Sequence, residues 1–154
     1  MPLSASELHK LLEYDPETGV LCWRVRRSQS VKSGDVAGCV EVQGYRVIVI
    51  DGKTYKAHRI IWAMVTGGWP TKQIDHINQL RCDNRWSNLR LATQPQNSMN
   101  SKARRNKVKG VHWNKQSRKW MARVGQIYLG QFDNWTDAVQ ARLNKAKEMF
   151  GEFA

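Results

Sequence analysis

Behind Ser4, the apolar residues Leu8, Leu11 and Leu12 recur at helical spacing, and Glu7 stands three positions after that serine. The pattern predicts a helix over residues 4–14 opened by a capping box. DPETG, with Pro16 and Gly19, then reads as a turn, residues 20–25 as a strand, and GDVAG as a second break. Residues 45–50 and 54–57 flank Asp51-Gly52-Lys53, where the D-G dipeptide marks a hairpin. Over 58–66 the stripe Ile61, Trp62 and Val65 is expected to face inward on a helix. Gly67-Gly68 ends that helix, and Trp69-Pro70 bars its continuation.

From residue 73 the pattern turns polar. A short strand is expected over 73–77, a polar loop over 78–88 and a second strand over 89–93. Thr93 as cap, Pro95 in the first turn and Gln96 at the capping-box position then predict a helix with Asn97 and Asn100 on one face. Residues 98–109 are polar and basic, with Val108 the one candidate for burial, and read as a helix tail running into a linker. Beyond them, 111–113, 120–124 and 127–132 read as strands. Residues 137–150 read as a helix capped by Thr136, with Ala138, Ala141, Leu143, Ala146 and Met149 apolar. Three strands and one helix bury each other most simply as a sheet with the helix laid across it. The fold class is α+β.

Composition sharpens this outline. The chain has 154 residues, enough for one domain or two small modules, and seven tryptophans to fill small cores. Three widely spaced cysteines, with no C-x-x-C, argue against a disulfide scaffold or a cysteine-held zinc. The amino terminus lacks the apolar core of a signal peptide and no apolar run reaches spanning length, so a soluble, intracellular protein is expected. The formal net charge is +12, and its placement says more than its size. From Asn84 to Phe132 there are eleven Lys and Arg residues and no Asp or Glu. A solvated face interleaves both signs, so this block points to a polyanion, and nucleic acid fits better than a membrane because no amphipathic helical period runs through it.

The stretch IDHINQLRCDNRWSNLRLATQPQN concentrates the candidate chemistry. Phosphodiester hydrolysis needs an activated water, stabilisation of the phosphorane and help for the leaving oxygen. His76 offers a base near neutral pH, while Asp75 and Asn97 offer hard oxygen donors for Mg²⁺ or Mn²⁺. In a regular strand Asp75 and His76 point to opposite faces, so base and ion must approach a phosphate from different sides. Asn84 reads as a turn former rather than a site residue. His58 reads either as a phosphate contact or as a structural residue at the module's edge.

The order YKAHRIIW, IDHIN, DNRWSNLRLAT, QPQN over residues 55–97 resembles the HNH endonucleases of the phage homing type, which use a ββα-metal fold. YDPETGVLCWRVRRS and GDVAG resemble the leader that precedes such modules, so the likeness covers roughly residues 7–101. By that resemblance His76 is the general base, Asp75 and Asn97 hold one divalent ion, most simply Mg²⁺, with Mn²⁺ as the alternative, and Asn88 ties the loop so that His76 is oriented. Gln79 stands where the family usually has Gly; a left-handed backbone there would cost on the order of 1 kcal/mol. KGVHW, KWMARV and YLGQFDNWTDA, within residues 108–153, resemble the AP2 domain, which reads the major groove with a three-stranded sheet. That likeness implies His112, Asn114, Arg118, Trp120 and Arg123 as DNA-reading residues. Burial in the small core is the competing reading for Trp113 and Trp120.

The expected organisation is therefore a helix and β-rich leader (1–53), an HNH nuclease module (54–101), a basic linker (102–109) and an AP2-like three-stranded antiparallel sheet packed on one helix (110–154). Arg85, Arg90, Lys102, Arg104 and Arg105 are expected to meet phosphates. The expected activity is hydrolysis of one strand of double-stranded DNA by a monomer encoded by a phage or prophage, with no protein partner and no membrane. An inert regulator built on the same modules is the competing reading. A generic basic coat for nucleic acid is a third, and it has no use for the ordered asparagines.

Overall fold

The first helix opens as its sequence demands. Ser4 Oγ accepts from the Glu7 backbone N–H at 3.2 Å, and the Glu7 carboxylate accepts from the Ser4 backbone N–H at 2.7 Å. This computed structural model describes residues 3–100 and 108–153. The helix, α1 (Ala5–Leu11), is shorter than expected, because Leu12–Asp15 is a strand, β1, paired antiparallel with β2 (Val20–Trp23). Pairing across the DPETG turn outweighs the helical period that Leu11 and Leu12 continue. β3 (Cys39–Val40), β4 (Arg46–Ile50) and β5 (Lys53–Lys56) form a three-stranded antiparallel sheet in that order. Asp51 and Gly52 close its hairpin at φ 50 and 76, the conformation that suits a two-residue turn between twisted strands.

Helix α2 (Ala57–Thr66) ends at Gly67, whose φ of 80 is the left-handed stop expected there. Its buried face is rotated from the expected one. Ile60, Ile61, Ala63 and Met64 are buried, Trp62 is half-buried and Val65 is exposed. β6 (Gln73–His76) and β7 (Leu89–Ala92) make a two-stranded antiparallel ribbon, joined by a loop that closes with a single 3₁₀ turn, Trp86–Asn88. One hydrophobic core unites these parts: Leu8, Leu12, Leu21 and Trp23 of the leader pack with Ile48, Ile60, Ile61, Ile74 and Leu89.

The chain divides into two compact units, Met1–Ala92 and Thr93–Ala154. The second begins with α3 (Gln94–Asn100). Its predicted capping box is present: the Thr93 N–H and Oγ1 donate to Gln96 Oε1 at 2.8 and 2.9 Å, and the Gln96 N–H donates to Thr93 Oγ1 at 3.4 Å. β8 (Val111–Asn114), β9 (Lys119–Val124) and β10 (Ile127–Phe132) form an antiparallel sheet with β9 central, and α4 (Trp135–Phe150) packs on it through Ala138 and Val139. Asn134, not Thr136, is the cap of α4. Its buried positions are Ala138, Arg142 and Ala146, one helical face whose two alanines allow close approach to the sheet, so Leu143 and Met149 are left exposed. Among the described residues no helix is long and apolar enough to cross a membrane.

Candidate active site

Four polar side chains of the β6–β7 ribbon and its loop are buried: Asp75 and His76 at 4% exposure, Asn88 at 6% and Asn84 at 1%. Buried polar groups must be partnered, and the pairs made here define the site. His76 ends β6, and its Nε2 lies 3.1 Å from Asn84 Oδ1. An amide oxygen only accepts, so the contact suits the tautomer with the proton on Nε2 and the lone pair on Nδ1. Burial pushes the imidazole pKa below its ordinary value of 6.5, against the opposing pull of the Asn84 bond and the Asp75 and Asp83 carboxylates. Burial thus favours the neutral imidazole of His76, and the Asn84 contact orients it.

Asn88 fastens the loop at both ends. Its Oδ1 accepts from the Asn78 N–H at 2.9 Å, while its Nδ2 donates to Asn78 Oδ1 at 3.0 Å and to the Asp83 carbonyl at 2.8 Å. The Asn88 carbonyl accepts from the Ile77 N–H at 2.9 Å, so the loop springs directly from the end of β6. Gln79, inside the loop, has φ 64, the left-handed conformation that favours glycine. Asp83 takes a fork of two bonds from Arg85, at 2.9 and 2.6 Å, and a third from Asn78 Nδ2 at 2.6 Å. The Arg85 contact pulls its carboxyl down to about 2.

Asp75 faces the other side of the ribbon from His76, where its cross-strand partner is Arg90. Arg90 Nε meets Asp75 Oδ2 at 2.9 Å, with both side chains largely buried. Arg85 and Arg90, expected to meet phosphates, are therefore the ion-pair partners of Asp83 and Asp75. The run of basic residues without an acid concealed this, because the acids lie just upstream of it.

Three residues gain a place here that their local sequence did not announce. Asn84 is the partner of His76 rather than a simple turn former; its position in DNR, four residues before Asn88, was the available signal. His58, expected at an edge or on a phosphate, is 5% exposed, and its ring stands 5.1 Å from His76, edge to face. Burial, followed by the charge fields of His76, Lys56 and Arg59, pushes its pKa down to about 3. Tyr45 comes from the leader, with ring centroids 5.3 Å from His58 and 6.0 Å from His76.

The leader also props the loop from outside. The Tyr14 hydroxyl donates to the Asn84 carbonyl at 2.9 Å, and the Trp86 N–H donates to the Pro16 carbonyl at 3.2 Å. Gly19, at φ 74, lies so close that a Cβ there would stand 2.4 Å from the Arg85 backbone nitrogen.

Asn97 lies on α3 in the second unit and is half-buried. Among the described residues no three His, Cys, Asp or Glu side chains cluster as a metal set. By donor type, the Asp75 carboxylate, whose Oδ2 also meets Arg90, and the Asn97 amide oxygen are hard oxygen ligands of the kind Mg²⁺ accepts along with water. The residues fit such an ion in donor type.

On the sheet of the second unit, His112, Asn114 and Arg123 fall on one face by register, with His112 and Arg123 exposed. Asn114 is engaged locally, its Oδ1 accepting from the Gln116 and Ser117 N–H groups at 2.9 and 3.3 Å. Arg118 stands in the β8–β9 turn at φ 52 and is exposed. Trp120 falls on the opposite, helix-facing side and packs into the small core, while Trp113 is 44% exposed. Lys102, Arg104 and Arg105 lie outside the described residues.

No curated protein matches the chain, and no solved structure does. Residues 55–99, which carry Asp75, His76, Asn84, Asn88 and Asn97, match the family described as HNH endonuclease, and over that stretch the chain holds an HNH nuclease module.

Proposed function

We propose that this protein is a metal-dependent HNH endonuclease of the homing type that hydrolyses a phosphodiester bond in double-stranded DNA, nicking one strand near a sequence it recognises. The observation that carries the reading is the buried imidazole of His76, oriented through Nε2 by Asn84 and pushed toward its neutral form by burial, which makes Nδ1 the basic atom of this proposal. Nδ1 takes the proton of a water as that water attacks phosphorus. Asn88 keeps the loop closed so that His76 does not turn away. Asp75 and Asn97 hold one divalent ion, Mg²⁺ with Mn²⁺ as a substitute. When bound, the ion supplies Lewis-acid stabilisation of the phosphorane and of the departing 3′ oxygen. The second unit reads DNA as an AP2-like domain through the sheet face of His112 and Arg123, with Asn114 and Arg118 at its turn. Lys102, Arg104 and Arg105 neutralise backbone phosphates.

The test is nicking of supercoiled plasmid by the purified chain with Mg²⁺ or Mn²⁺, beside EDTA and His76→Ala. Metal-dependent nicking that disappears in the variant, with DNA binding retained, is expected. Nicking at the wild-type rate by His76→Ala would remove the assignment. Binding without cleavage by the wild-type chain, on DNA of both host and phage, would favour an inert regulator.

A further inference from the structure

Tyr45 lies outside residues 55–99, yet its ring forms one wall of the site around His76 and His58. Two cations lie over that ring: Lys56 Nζ 3.9 Å from its centroid and the Arg81 guanidinium carbon 4.9 Å from it. Arg81 is further fixed by Nη1, which donates to the Gln43 carbonyl at 2.9 Å. Neither cation is paired with a carboxylate among the described residues. That sets them apart from Arg85 and Arg90, whose charges Asp83 and Asp75 already answer. A cation over an exposed aromatic face gains only about 0.5–1 kcal/mol. Such a contact can hold each side chain in place, but it leaves two like charges converging without a counter-charge. Their field reaches the two buried imidazoles, Lys56 acting on His58 and Arg81 on His76.

We propose that Lys56, Tyr45 and Arg81 form a phosphate subsite that binds the DNA backbone beside the phosphate on which His76 acts. The Arg81 fork and the Lys56 ammonium take the oxygens of a neighbouring phosphate, and Tyr45 is the platform that sets both cations at a fixed distance from His76. The leader thus supplies part of the substrate site as well as a support for it. This inference rests on the nuclease reading above for its substrate, but its chemistry is that of backbone binding and has a readout of its own.

The experiment compares the full chain with the Lys56→Ala/Arg81→Ala double variant in two assays. In EDTA, binding to a short fluorescent DNA duplex is followed across a salt series. Removing the subsite is expected to lower the slope of log affinity against log salt by about one, the loss of one phosphate contact. With Mg²⁺, nicking of supercoiled plasmid should show KM raised roughly tenfold, as charge-assisted hydrogen bonds are lost, with kcat changed much less. His76→Ala should leave the salt slope untouched. An unchanged slope and unchanged KM in a double variant with wild-type melting behaviour would overturn the subsite. If the wild-type chain never nicks DNA but the double variant still lowers the slope, the subsite stands and the nuclease reading is what has failed.

Discussion

His76 Nε2 lies 3.1 Å from the side-chain oxygen of Asn84, a residue only 1% exposed whose own carbonyl is held by the Tyr14 hydroxyl. The tautomer of the proposed base is thus set by a loop that the leader holds down. Asn84→Ala should lower kcat for nicking by about 10–100-fold, the usual scale for removing a group that orients a working histidine. KM for DNA should be unchanged. Steady-state nicking kinetics would show this, and a rise in KM with unaltered kcat would refute the positioning role.

The same bond sets the acid side of the pH profile. A base must be neutral to take a proton, so activity rises with pH through the His76 pKa and is lost below it. Burial holds that pKa under its ordinary 6.5, and the Asn84 bond partly offsets burial. The acid limb of kcat/KM should therefore lie below pH 6.5 in the wild-type chain and move lower still in Asn84→Ala. A limb that moves upward in the variant would contradict the assignment of the Nε2 proton.

Arg90→Ala should behave unlike a lost DNA contact. It leaves the buried Asp75 carboxylate without its cross-strand cation, and breaking a buried pair on one side costs about 3–5 kcal/mol. Urea unfolding should show that loss, while the salt dependence of DNA binding stays as it was. Arg123→Ala, on an exposed sheet face, should show the reverse pattern.

His58 ties stability to pH. Its folded pKa is pushed down to about 3 while the unfolded chain titrates near 6.5, so between those values the unfolded state binds the extra proton. Stability is fully present above pH 6.5, falls as pH drops through that window, and levels off below about 3, losing up to ~5 kcal/mol. Urea unfolding at pH 7 and at pH 4.5 measures the drop. His58→Gln should flatten this part of the curve, and an equally steep curve in the variant would place its origin elsewhere.

Gly19→Ala should unfold or dislocate the site without touching any reacting group. The added Cβ would stand 2.4 Å from the Arg85 nitrogen, and the residue sits at φ 74. Strain at a special backbone conformation together with a backbone collision should cost more than about 2 kcal/mol. A melting temperature within a degree of wild type would show that the DPETG turn does not brace the loop.

Much of this could be read along the chain where the controlling interaction is local. Ser4 with Glu7, Thr93 with Gln96, Asp51-Gly52 and the stop at Gly67 all act over a few residues, and each appears where expected. What failed is non-local. Leu12 leaves its helix because Trp23 pairs with it, and Val65 yields the buried face to Met64 because of what lies beneath α2. Arg142 is buried on α4, whose expected apolar positions were Ala138, Ala141, Leu143, Ala146 and Met149. In the site the same division holds. The order of Asp75, His76, Asn88 and Asn97 is legible as a motif. Tyr45 and His58 reach His76 only because distant segments share a core, and no spacing records that.

The reach of that core has a consequence for how the protein can be divided. Likeness to the nuclease family begins at residue 55, but Leu8, Leu12, Leu21, Trp23 and Ile48 complete the packing beneath the residues that bear the likeness. The stretch of shared ancestry is thus shorter than the stretch that must fold together. A recombination joint at residue 54 would carry over the chemical signature and leave behind the floor it stands on. Exchange of the proposed activity between proteins has to move the first 92 residues as one piece, and Asn97 with them.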